Sequence, residues 1–216
     1  MVAIRLERVE RLTPLVVLAL AALAWSLLLG YGHASGFAAS FVMWNVMMVA
    51  MMLPALVPWL VLFEASQATR FAFGYFAIWG VYCLGAALAQ HYLRSEHAVT
   101  GEASGVLLVI AGAFQFTPMK RSCLRKCRSP LGQVLTRWRS GRAFWLRVGL
   151  GHGMNCLGCC WALMAVAFAL GVMNLWWMAA LTLLIAAENL LPQGELFSRV
   201  TGAALLACGV GWLAFG

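Results

Sequence analysis

Seven stretches of this chain stay apolar for about 20 residues each, the length of helix that crosses a ~30 Å hydrocarbon layer. They are residues 12–31, 38–63, 71–93, 103–118, 148–171, 173–191 and 197–216. Inside lipid every backbone N–H and C=O must be paired within the protein, so only helices and closed barrels can cross. Long apolar runs without two-residue alternation select helices. The sequence therefore predicts an all-α, polytopic transmembrane bundle, a single membrane domain over 1–216 with about seven spans. The fourth stretch is short, and the sixth and seventh are parted only by LPQGELFSR, so a six-span count stays open. A chain that is 63% hydrophobic and 10% charged has far more apolar surface than a soluble core needs. The first stretch exceeds the apolar run of a signal peptide, and its flank RLERVER mixes acids with bases, so it is expected to remain as an anchor.

Lysine and arginine collect on the cytoplasmic side of membrane proteins, which tests this topology. With the N-terminus cytoplasmic, the inner segments hold Arg5, Arg8 and Arg11, then Arg70, then a basic loop over 119–147, then Arg199. The loop carries Lys120, Arg121, Arg125, Lys126, Arg128, Arg137, Arg139, Arg142 and Arg147, which leaves Arg94 alone outside. The expected setting is a bacterial inner membrane, with the C-terminus on the far side. The net charge of +8 is thereby read as a topology signal and a contact for anionic lipid head groups, with Trp138 and Trp145 as interfacial anchors. No Gly-rich phosphate loop accompanies it, so nucleic acid is not an expected partner.

Within the fifth stretch, residues 152–161 read HGMNCLGCCW. At 100° per residue His152, Cys156, Cys159 and Cys160 fall within an arc of about 100°, while Met154 points away. The eight-residue reach from His152 to Cys160 is about 12 Å, too long for one ion. Workable subsets are Cys156 with Cys159 or Cys160, and His152 with Cys156. A CxxC disulfide suits a helix terminus better than a helix interior. Buried cysteine is often mere packing. Three in five positions with an intramembrane histidine are instead read as soft metal ligands.

Two further groups share that chemistry. In FVMWNVMMVAMMLP (41–54), Met43, Met47 and Met51 lie at i, i+4 and i+8, with Met48 and Met52 on the adjoining face. Thioethers are neutral soft ligands suited to Cu(I), although a methionine stripe is also good core filler. In TPMKRSCLRKCRSP (117–130), Cys123 and Cys127 are four apart and face together if that stretch is helical, and a reducing cytoplasm keeps them free. Gly149 and Gly153 form a small-xxx-small pair that admits a close neighbour. The expected neighbour is the second stretch, with its methionines facing the cysteines. The chain has no aspartate and only seven glutamates, so hard cations and hydrolytic carboxylate pairs lack ligands. Glu188 is read as a helix-end residue reaching for the interface, or as a counter-charge. His91 and His97 lie near the outer boundary as incidental candidates.

In order, MWNVMMVAMMLP, FQFTPMKRSCLRKCRSP, LGHGMNCLGCCWALM and GVMNLWWM resemble a bacterial family of metal-binding integral membrane proteins associated with copper supply to polyphenol oxidases such as tyrosinases. The resemblance covers about residues 40–200. It implies metal binding by His152, Cys156, Cys159 and Cys160, with Cys123, Cys127 and the methionines Met43, Met47 and Met51 as companions. Where the family often carries a lysine next to the glutamate, this chain has Asn189 after Glu188. The resulting expectation is a non-enzymatic membrane protein that holds Cu(I), or hands it to a copper-dependent oxidase or membrane complex. The rivals are a membrane thiol–disulfide oxidoreductase, in which the two cysteine groups act as a relay, and a structural subunit of a larger membrane complex, in which the cysteines only pack.

Overall fold

Helices account for every regular element in the computed structural model, which describes residues 15–28, 36–95, 101–129, 132, 134, 143–170 and 174–215. In chain order they are α1 (Leu15–Leu28), α2 (Phe37–Leu60), α3 (Ala65–Ser95), α4 (Gly101–Gln115), α5 (Pro118–Cys127), α6 (Ala143–Leu170), α7 (Leu175–Leu190) and α8 (Gly194–Phe215). Among the described residues there is no strand, and the all-α expectation holds. The flank with Arg5, Arg8 and Arg11, His97, Trp138, and loop residues Arg137, Arg139 and Arg142 lie outside the described residues.

Each apolar stretch is helical over most of its described part, but their lengths differ. Four helices are long and apolar enough to cross a bilayer: Phe37–Leu60, Ala65–Tyr92, Ala143–Ala167 and Gly194–Phe215. A fifth arises if α4 and α5, bent by 67° at residues 116–117, count as one broken span. α7 has 16 residues, about 24 Å at 1.5 Å per residue, which falls short of a ~30 Å slab. α1 is shorter still. The opening of the basic segment 119–147 is helix rather than loop. Thr117 caps α5, its hydroxyl accepting the Lys120 N–H at 3.2 Å, and Pro118 stands in the first turn, where its missing N–H costs nothing.

The backbone contacts divide the chain into two compact units, residues 1–88 with 130–153, and residues 89–129 with 154–216. In the first unit α1 buries a single stripe of Val17, Ala21, Ala24 and Leu28. Here too α3 and the first half of α6 meet backbone to backbone. A Cβ on Gly74 would run into the Leu146 carbonyl, one on Gly149 into the Phe71 backbone, and one on Gly153 would meet the Tyr75 carbonyl at 3.0 Å. The Gly149/Gly153 pair thus does admit a close neighbour, but the neighbour is α3, not α2 as expected. The reason lies in α3 itself, whose Gly74 supplies the matching notch.

In the second unit α4 and α8 cross in the same manner. A Cβ on Gly112 would meet the Gly202 carbonyl at 2.9 Å, and one on Gly209 the Gly105 carbonyl at 2.9 Å. Glycines seven apart on both helices keep that seam open over two turns. Ser198 of α8 donates to the Gln115 side-chain carbonyl at the end of α4, at 3.2 Å. Leu108 and Ala111 of α4 pack with Ala162 and Val166 of α6, which sets the second half of α6 against this pair.

Candidate metal centre

Two helices of the second unit bring the thiols together. α6 presents Cys156, Cys159 and Cys160, and α5 presents Cys127. The sulfurs of Cys127, Cys156 and Cys159 all lie within 4.8 Å of one another, and all three residues are buried. Bonds of about 2.3 Å from a metal to three sulfurs in a plane require sulfurs about 4 Å apart. Cys127 Sγ and Cys159 Sγ are 3.8 Å apart, close to that spacing. Cys160 Sγ lies 3.2 Å from Cys159 Sγ, and the Cys159 thiol is 3.2 Å from the Cys156 carbonyl. None of the described cysteines is in a disulfide. A triangle of soft donors shut away from water suits a soft ion.

Sequence spacing put Cys127 with Cys123. In the structure both face α6 from one side of α5, but only Cys127 reaches the thiols, while Cys123 is half-buried and lies against Gly158.

A charged pair closes the group on another side. Lys120 and Glu188 are fully buried, and Lys120 Nζ stands 2.6 Å from Glu188 Oε2. The same ammonium donates to the Cys159 carbonyl at 2.7 Å, so it ties α5 to both α6 and α7. Arg128, the residue after Cys127, adds a hydrogen bond to the Leu191 carbonyl, where α7 ends. Glu188 is therefore neither a residue reaching for the interface nor an orphan; its partner comes from 68 positions away rather than from position 189. Asn189 instead donates to the Ile185 carbonyl at 2.9 Å within its own helix. Sequence spacing passed over Lys120 as one more base in a basic loop. The available signal was that a carboxylate inside an apolar stretch needs a cation.

His152 belongs to the first unit and sits among aromatic rings. Trp59 lies 4.0 Å away between ring centroids, Tyr75 5.4 Å and Phe71 5.6 Å. Its Nδ1 is buried with no hydrogen-bond partner among the described residues. Met43, Met47 and Met51 are buried on α2 in that same unit, together with Met48 and Met52. His91 is exposed, edge-on to Tyr92.

The family model described as PpoB2, copper chaperone, matches residues 41–212, well over half of the chain. That range contains the cysteines of α5 and α6, the methionines of α2 and the Lys120–Glu188 pair. No curated protein and no solved structure matches the chain.

Proposed function

We propose, on the premise that this chain belongs to the PpoB2 copper-chaperone family, that it is an integral membrane protein holding copper as Cu(I) on the sulfurs of Cys127, Cys156 and Cys159. It hands that copper to a copper-dependent oxidase. The observation that carries the reading is the buried triangle of three thiols from two helices. Cys160 stands beside it as a fourth sulfur for exchange. The buried Lys120 cation supports the assignment, since copper bound by three thiolates is an anion that lipid would penalise by several kcal/mol without compensation.

Met43, Met47, Met51 and His152 form a second soft station in this reading, one that copper visits in passing and does not occupy at equilibrium, the methionines as thioether donors and the imidazole as a neutral ligand through its unpartnered Nδ1. The thiol–disulfide reading draws support from the 3.8 Å Cys127–Cys159 contact. It differs in requiring the cysteines but none of the methionines.

Metal analysis of protein purified under anaerobic reduction tests the proposal. Near-stoichiometric copper is expected, and the triple change Cys156→Ser, Cys159→Ser, Cys160→Ser should abolish it. Undiminished copper in that variant would refute the thiol site.

The orientation follows from the charges. In a bacterial inner membrane, α5 leaves the bilayer at the cytoplasmic face, since it turns 67° from α4 and carries Arg121, Arg125, Lys126 and Arg128. Counting all seven apolar stretches as crossings, the short α1 and α7 included, puts the C-terminus outside. Reporter fusions after Leu131 and at Gly216 should mark opposite compartments; the same compartment for both rules out an odd number of crossings between the cytoplasmic loop and the end.

A further inference from the structure

α5 carries two further sulfurs that the copper triangle leaves unused. Met119, Cys123 and Cys127 stand at i, i+4 and i+8, so they form one continuous stripe on this helix, winding through about 80° over about 12 Å. Burial deepens along that stripe. Met119 is 56% exposed, Cys123 is half-buried and Cys127 is 6% exposed. Cys127 belongs to the triangle with Cys156 and Cys159.

The first two residues of the stripe converge on one point of α6. A Cβ placed on Gly158 would meet Cys123 Sγ at 2.8 Å and the Met119 methyl carbon at 3.9 Å. Glycine is the one residue whose surface there leaves the two sulfur side chains room to lie side by side. Gly158 directly precedes Cys159, so the Met119–Cys123 pair adjoins the thiol triangle. Around the helix the exposed Lys126 lies within about 20° of Met119 and the exposed Arg125 about 120° from it, which sets this edge of the helix toward water or head groups rather than acyl chains.

We propose that Met119 and Cys123 form a transient Cu(I)-loading site at the surface, through which copper reaches the buried triangle. The inference rests on the copper-holding reading above and adds the route. Cu(I) arriving on an external soft donor bonds first to the Met119 thioether, which releases no proton, and to the Cys123 sulfur, whose thiol proton passes to water, while its bonds to the external donor break and free that donor. Copper then moves inward by ligand exchange. A Cys127–copper bond forms as the Met119–copper and Cys123–copper bonds break, and the Cys127 proton returns to the Cys123 sulfur. Copper stays monovalent, and in this exchange one cation moves in as one proton moves out; Cys156 and Cys159 then lose their own thiol protons to water as they bind, which leaves the anionic site that Lys120 faces. A thioether at the outer end and thiols at the inner end give a gradient of rising affinity for a soft ion.

The test separates rate from capacity. Full-length protein in detergent, reduced and anaerobic, is mixed with Cu(I) held as a coloured aromatic diimine chelate, and decay of the colour times the loading. Met119→Leu keeps the volume and removes the sulfur, and Cys123→Ser replaces a soft donor by a hard one. Each is expected to slow loading by at least about tenfold, with copper per protein at equilibrium equal to wild type. Unaltered rates in both variants overturn the proposal. Reduced equilibrium copper in Cys123→Ser also overturns it, because Cys123 would then belong to the holding site. A wild-type protein that takes up no copper refutes the holding reading itself, a result distinguishable from either of these.

Discussion

Lys120→Met is expected to destabilise the protein by about 3–5 kcal/mol, the usual consequence of stripping one partner from a buried ion pair. Glu188 is fully buried, its Oε2 is held by Lys120 at 2.6 Å, and its Oε1 has no hydrogen-bond partner among the described residues. Removing the ammonium leaves a carboxylate with neither water nor cation. It also frees the Cys159 carbonyl and unties α5 from α6 and α7. Set against a total folding stability of about 5–15 kcal/mol, that loss is severe. The double change Lys120→Met with Glu188→Leu should recover much of it, because an apolar pair of similar volume commonly replaces a buried ion pair at little cost. Thermal or denaturant unfolding of detergent-purified variants measures both. If the single variant unfolds like wild type, the pair does not hold these helices. The double variant is further expected to bind copper more weakly than wild type, since the cation facing the thiolates is still missing.

Gly149→Ala carries the second large effect, and its sign is the informative part. Alanine normally stabilises a helix relative to glycine by up to about 1 kcal/mol. At Gly149 the added methyl would collide with the Phe71 backbone of α3, which cannot move aside as a flexible side chain would. The two helices must separate along the Gly74–Gly149 seam. The loss should reach or exceed the top of the ~1–3 kcal/mol range for overpacked cores. Gly85→Ala is the matched control, on α3 with nothing within 4 Å of the new methyl, and it should be neutral or stabilising. Equal unfolding curves for the two variants would contradict the close α3–α6 crossing.

What could be read from the residues alone follows from the range of the forces involved. The helices were legible because a run of about 20 apolar residues has few other ways to satisfy its backbone. Their capacity to cross was less so: α4 and α7 are mostly apolar but stop at 15 and 16 residues, and α4 bends into α5 at Thr117. α5 looked like loop because its charges mask its period, although the Thr117-Pro118 start is a helix signal in its own right. Gly149 and Gly153 were recognisable as a contact, yet a small-residue notch does not say which helix fills it. The cysteines of α6 were identifiable by their shared arc. An arc places side chains on a face without naming their neighbours, so Cys127 in the triangle and the aromatic rings around His152 emerge only from tertiary structure. Lys120 and Glu188 are the extreme case, joined across 68 positions with no local pattern to announce them.

X-ray absorption at the copper edge, recorded on the reduced, copper-loaded protein and on the Cys156→Ser, Cys159→Ser, Cys160→Ser variant, tests the central claim most directly. Copper held by Cys127, Cys156 and Cys159 predicts a monovalent edge with sulfur neighbours alone, and no copper signal from the variant. A shell of nitrogen or oxygen neighbours, or a variant spectrum identical to wild type, would contradict it.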